Sequence, residues 1–180
     1  LFAGCKALTQ APELPATTLT KACYEFMFQD CINLTEAPKL PATKIYDKSY
    51  VGMFMGCSNL KIAPELPATE MKYRCYDSMF RSCTSLETPP ALPAKVLDRE
   101  CYHQMFQECT KLKEAPELPA TKMATDCYSM MFTSCENLTV APKLPATELA
   151  PRCYYSMFSV CTNLTQAPEL LATTLDSACY

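Results

Sequence analysis

The sequence predicts an α/β repeat solenoid in which every 26-residue coil supplies one short parallel strand and one short helix. Three observations carry that prediction. Cys5, Cys31, Cys57, Cys83, Cys109, Cys135 and Cys161 recur at a constant step of 26 residues. A second set, Cys23, Cys75, Cys101, Cys127, Cys153 and Cys179, keeps the same step, with Ser49 in the vacant place. Side chains vary between copies while copy length does not, as expected of a chain that holds a stacking register.

The helical element is expected in the Cys-Tyr-x-x-Met-Phe-x-x-Cys half. Cys127, Met131 and Cys135 fall at i, i+4 and i+8, and Tyr128 and Phe132 form a parallel stripe beside them. That is the apolar face of an amphipathic helix. The intervening residues, such as Ser129 and Thr133, are mostly polar. The other half, Leu-x-x-Ala-Pro-x-Leu-Pro-Ala-Thr, cannot be helical. Two prolines three apart fix two φ angles, remove two amide donors and push the residues before them to extended geometry. Proline is also excluded from a central ladder. The strand is therefore expected to be short and to stop near the first proline, as in Leu34 to Ala37, with Pro38 to Thr43 forming an extended corner.

The chain has 180 residues, 49% hydrophobic and 19% charged, with a net charge of −3. This is a folded composition read as one domain, residues 1–180, of about seven repeats. The chain opens and closes within a repeat and shows no atypical capping coil, so the expectation is an internal fragment of a longer protein, contacted by flanking repeats. No apolar run reaches the ~18–20 residues that span a bilayer, so membrane insertion by this segment is not expected. Charges of both signs are interspersed, without the basic stripe that nucleic acid selects. Glu13, Lys39, Glu65, Ala91, Glu117, Lys143 and Glu169 form a column whose signs alternate along the stack wherever a charge is present, and Lys44 stands beside Glu70 as Lys122 does beside Glu148. At a coil spacing of about 5 Å these read as a surface charge ladder.

These residues also carry a resemblance. Met-Phe-x-x-Cys-x-x-Leu-x-x-Ala-Pro-x-Leu-Pro-Ala-Thr-x-Leu resembles the BspA-type class of leucine-rich repeats, whose pattern runs close to Ala-Phe-x-x-Cys-x-x-Leu-x-x-Ile-x-Leu-Pro-x-x-Leu. Phe28, Cys31, Leu34, Leu40, Pro41 and Ile45 carry the match, which recurs along the whole chain. The extra proline, the second cysteine and the longer helical half depart from the pattern. The resemblance implies a curved, right-handed solenoid with a parallel sheet on one face. It implies a bacterial or protist cell-surface or secreted protein that adheres to host proteins, matrix or other cells. Similar repeats occur in large surface and tail-like proteins of gut microbes and their viruses.

The thirteen cysteines admit disulfide, metal and packing readings. Side chains stacked in parallel keep their Cβ atoms near ~4.8 Å, longer than a disulfide favours, and a column of seven cannot pair completely. Zinc sites use close pairs such as Cys-x-x-Cys, whereas the spacings here are 8 and 18 and the sole histidine is His103. Packing is favoured, because cysteine is a small, readily buried hydrophobe and Ser49 fits the same slot. No metal or other cofactor is expected.

The methionine column from Met27 to Met157 and the adjacent phenylalanines read as core. The tyrosine column from Tyr24 to Tyr180 reads as core-edge packing, with a ligand-facing aromatic ladder as the alternative. Thr17, Thr43, Thr69, Thr121, Thr147 and Thr173 are expected to bond corner backbone groups, with Lys95 as the exception. His103 reads as a surface residue. Glycine occurs only at positions 4, 52 and 56, which leaves no phosphate-cradling loop. No cysteine is singled out as a nucleophile with a paired base. The chain is therefore not expected to be an enzyme. Binding is expected at strand-face positions that vary between copies: Thr35 and Glu36, Lys61 and Ile62, Glu87 and Thr88, Lys113 and Glu114, Thr139 and Val140. Two functions follow as expectations. One is a protein-binding or adhesion module that takes a protein or glycan on another cell or matrix. The other is a structural spacer that positions recognition domains elsewhere.

Overall fold

The computed structural model describes residues 1–180. Successive 26-residue coils stack in register: Gln10 bridges Glu36, Ile62 bridges Thr88, and Glu114, Val140 and Gln166 form a continuous parallel row. The expected α/β coil is not what the chain builds. It contains no helix, and the expected strand is reduced to isolated parallel bridges.

The half expected to be helical is a ribbon of overlapping turns. In the coil from Asp47 to Gly56, the amides of Ser49, Val51, Met53 and Met55, and that of Cys57 beyond it, donate to carbonyls three residues back, at 3.0–3.4 Å. The alternate amides of Lys48, Tyr50, Gly52, Phe54 and Gly56 donate instead to Tyr73, Cys75, Asp77, Met79 and Arg81 of the next coil, at 2.8–2.9 Å. Every fourth residue lies in the left-handed region, here Lys48 (φ 58), Gly52 (φ 54) and Gly56 (φ 74). Each is the third residue of a four-residue turn, the position that takes positive φ in type II geometry.

This backbone repeats every four residues, so it projects Cys127, Met131 and Cys135 to one side as a helix also would. The difference lies in where the amides go. An α-helix consumes its own N–H groups through i→i−4 bonds. The turn ribbon sends every second one to the neighbouring coil. Five such bonds join each interior pair of coils on this side and set their spacing.

The proline half is tied more sparsely, because proline has no N–H to donate. Bridges flank the corner, as at Gln10 with Glu36 before it and Thr18 with Lys44 after it. Between them Leu40 and Ala42 turn inward and Pro41 and Thr43 outward.

One continuous core runs from Leu19 to Cys179. The phenylalanines from Phe2 to Phe158 form a stacked ladder with ring centroids 5.5–5.8 Å apart. The tyrosines from Tyr24 to Tyr180 form a second ladder with centroids 5.5–6.2 Å apart. Met53, Met79, Met105 and Met131, with Leu60, Leu86, Leu112 and Leu138, are fully buried beside them. Each such side chain contributes about 1.5–3 kcal/mol by leaving water.

Candidate functional site

All ten residues expected at the binding face are exposed. The structure gathers them into two adjacent columns along the bridge row that precedes the proline corner. The backbone tie is direct: the amides of Glu87 and Thr88 donate to the Lys61 carbonyl at 2.9 and 3.2 Å, and that of Thr139 donates to Lys113 at 3.3 Å. Ile62 and Val140 are large apolar side chains left 62% and 56% exposed on this strip. The basis of the expectation needs correction, however. The strip is not the face of a continuous sheet, and the most densely bonded side of the stack is the turn ribbon.

The proline corner adds a feature that the proline spacing announced only as a bend. Shallow grooves of about 410, 450 and 320 Å³ recur between successive corners. The first lies between Pro38, Leu40 and Pro41 of one coil and Pro64 and Pro67 of the next, with Lys39 and Glu65 at its mouth.

The charge ladder does not close into ion pairs. Ion pairs within 4.0 Å form on the turn side instead, and none involves Lys39, Lys44, Glu70, Lys122, Lys143 or Glu148. Nor do the hydroxyls of Thr17, Thr43, Thr69, Thr121, Thr147 and Thr173 form a hydrogen bond with the corner; all six residues are exposed. Proline φ restriction shapes the corner without them.

Sequence reading missed a polar cluster on the turn ribbon. Asp77 is almost wholly buried. It accepts hydrogen bonds from Arg74 Nε at 2.6 Å and Ser78 Oγ at 2.8 Å, and lies 3.2 Å from Nδ1 of His103 in the next coil. Arg74 also reaches Glu100 at 3.4 Å. Burial pushes the Asp77 carboxyl up, but hydrogen bonds from His103 and Ser78 and the nearby charges of His103 and Arg74 outweigh it and hold the group below its ordinary range. His103 is half-buried rather than a free surface residue. Serine, histidine and aspartate are all present, but the Ser78 hydroxyl donates to Asp77 rather than to His103. That wiring holds coils together and does not activate a hydroxyl. A second link, Arg152 to Asp126 at 2.6 Å, joins another pair of coils. The signal in the sequence was an Asp-Ser dipeptide one period before His103-Gln104, legible only once the period is known.

The cysteines are all free, and ten of the thirteen are buried. The first column does more than fill space. The Sγ–H groups of Cys31, Cys57, Cys83, Cys109, Cys135 and Cys161 each donate at 3.1 Å to a carbonyl in the phenylalanine column of the preceding coil. Ser49 plays the polar part in the second column, with its hydroxyl 2.8 Å from the Tyr46 carbonyl. Burial pushes the thiols of Cys57, Cys75 and Cys127 up to about 12 and that of Cys153 to about 11. Protonated thiols are poor nucleophiles and poor metal ligands. Among side chains that could hold a metal ion, no group of three or more converges.

The tyrosine rings of Tyr50, Tyr76, Tyr102 and Tyr128 are buried, so they do not form a ligand-facing ladder. The hydroxyls of Tyr76 and Tyr128 are buried without a partner. No helix of the protein is long and apolar enough to cross a membrane. Compared with known proteins, the chain matches no family model, no curated protein and no solved structure.

Proposed function

We propose that the chain is a non-catalytic binding module of a surface-displayed or secreted repeat protein, and that it adheres to a protein or glycan on another cell or matrix. The observation that carries this reading is the bridge-row strip. Its two columns change from coil to coil while the flanking leucine and proline columns stay nearly uniform, and their side chains are exposed side by side, including the unpartnered Ile62 and Val140. A broad, shallow, mixed-charge strip suits an extended partner surface better than a small molecule, which favours an enclosed apolar pocket. The BspA-type resemblance supports surface display and adhesion, although its α/β coil is not retained.

The test uses the folded chain on immobilised extracellular-matrix protein and on cultured cells. Replacing Ile62, Lys113 and Val140 together by serine is expected to weaken attachment at least about tenfold, while the melting temperature stays within a few degrees. Undiminished attachment by the triple variant defeats the reading for this face.

A structural spacer is the second reading. Five inter-coil backbone bonds per interior coil pair and two unbroken aromatic ladders favour a stiff rod. Attachment by this chain alone counts against it.

A further inference from the structure

We propose that the bridge-row strip binds a second copy of this chain, turned end over end about a two-fold axis that passes between the coil of Glu87 and the coil of Lys113. This rests on the reading of the strip as a binding face and names its partner.

The argument is charge and shape complementarity along the exposed columns. An isologous contact requires that residue i meet j while j meets i. With the axis in this place, Glu87 meets Lys113 of the second copy, and Lys113 meets Glu87 of the second copy. The two large apolar side chains of the strip, Ile62 and Val140, meet each other on both sides of the axis, which covers the side chains left 62% and 56% exposed. Thr88 meets Glu114, and Glu36 meets Gln166, giving a hydroxyl and an amide to the two carboxylates. The next exposed column obeys the same register: Glu65 meets Lys143, and Lys39 meets Glu169. Every residue in these pairs is exposed. No like charges face each other.

Adjacent registers fail. Moving the axis half a coil towards Lys61 sets Glu87 on Glu87 and Lys61 on Lys113. Moving it half a coil the other way sets Lys113 on Lys113 and Glu114 on Glu114. Like-charge contact discourages these half-coil shifts, and the chosen register is the one that matches both Glu87 with Lys113 and Ile62 with Val140. Six coils at about 5 Å spacing take part, a strip short enough for a reversible dimer.

The experiment is sedimentation equilibrium at low salt on the 180-residue chain, on E87K, on K113E, and on an equal mixture of the two variants, with thermal melting as the folding control. The wild-type chain is expected to dimerise. Each single variant should dimerise about tenfold or more weakly, because each places like charges across the axis. The mixture should recover, since positions 87 and 113 then carry opposite charges across the axis in both pairings. Recovery in the mixture also excludes misfolding as the cause of the single-variant loss. A wild-type chain that stays monomeric, or dimerisation unchanged in E87K, overturns the proposal. A monomer whose attachment to matrix still falls when Ile62, Lys113 and Val140 are replaced overturns self-pairing and leaves the binding reading standing.

Discussion

Gly52 shows how closely neighbouring coils interlock at single residues. It lies in the left-handed region, and a Cβ added there would come 2.4 Å from the Phe26 ring of the preceding coil. Most other left-handed positions carry side chains, among them Lys48, Ser78, Glu108 and Met130. Each costs on the order of 1–3 kcal/mol in backbone strain, borne by the surrounding bonded ladder. Conformation alone therefore does not demand glycine at position 52; the ring above it does. Gly52→Ala is expected to destabilise the fold by about 1–2 kcal/mol. In a Phe26→Ala background the cost should shrink, because the clash is gone. Denaturant unfolding of the two single variants and the double variant measures this coupling, and strictly additive effects would count against the contact.

At the scale of the repeating element, the cysteine column acts as an array of weak hydrogen-bond donors. In each coil the thiol reaches the carbonyl of the phenylalanine whose other acceptor site serves the cysteine amide within its own coil, as Phe28 does for Cys57 Sγ and Cys31 N–H. A leucine there would fill volume but donate nothing. With a colourless-to-coloured thiol reagent at neutral pH, the native chain is expected to show rapid reaction only at the exposed Cys5 and Cys23, with the partly exposed Cys161 slower. All thirteen should react after denaturation. Fast labelling of the whole set in the native state would contradict the burial.

The same element explains what periodicity could and could not reveal. Cys127, Met131 and Cys135 do share a side, as their spacing of four residues required. A helix and a four-residue turn ribbon project that spacing alike. Side-chain pattern reports which residues face inward, whereas the choice between i→i−4 bonds and inter-coil bonds depends on a neighbour that sequence periodicity does not depict. His103 was misplaced for a related reason. Its partner Asp77 is 26 residues away, so its half-buried environment belongs to the stack and not to its own segment.

For the whole molecule, burial of many neutral acids makes stability depend on alkaline pH. An unfolded thiol ionises near about pH 8.5. In the fold, burial holds Cys57, Cys75 and Cys127 neutral up to about 12, and it also raises the tyrosines Tyr76, Tyr102 and Tyr128 well above their ordinary range. Above the unfolded value the unfolded chain holds fewer protons than the folded one, so stability falls as pH rises. The contribution is complete below about pH 8.5 and disappears as pH approaches the folded values, at about 1.4 kcal/mol per strongly buried thiol per pH unit. Under reducing conditions the melting temperature is expected to drop steeply between about pH 8.5 and about pH 10. A flat profile over that interval would mean that the thiols are solvated in the folded state.

Sequence alone was enough for the 26-residue register, the inward columns, the proline corner and the exposure of the variable strip, because each follows from covalent restriction or from an unbroken apolar recurrence. It did not reach the turn ribbon, the thiol-to-carbonyl bonds, the Asp77 cluster or the absence of ion pairs along the charge ladder. Those depend on which amide, carbonyl or carboxylate the adjacent coil brings within hydrogen-bonding distance, and that proximity exists only when the coils are stacked.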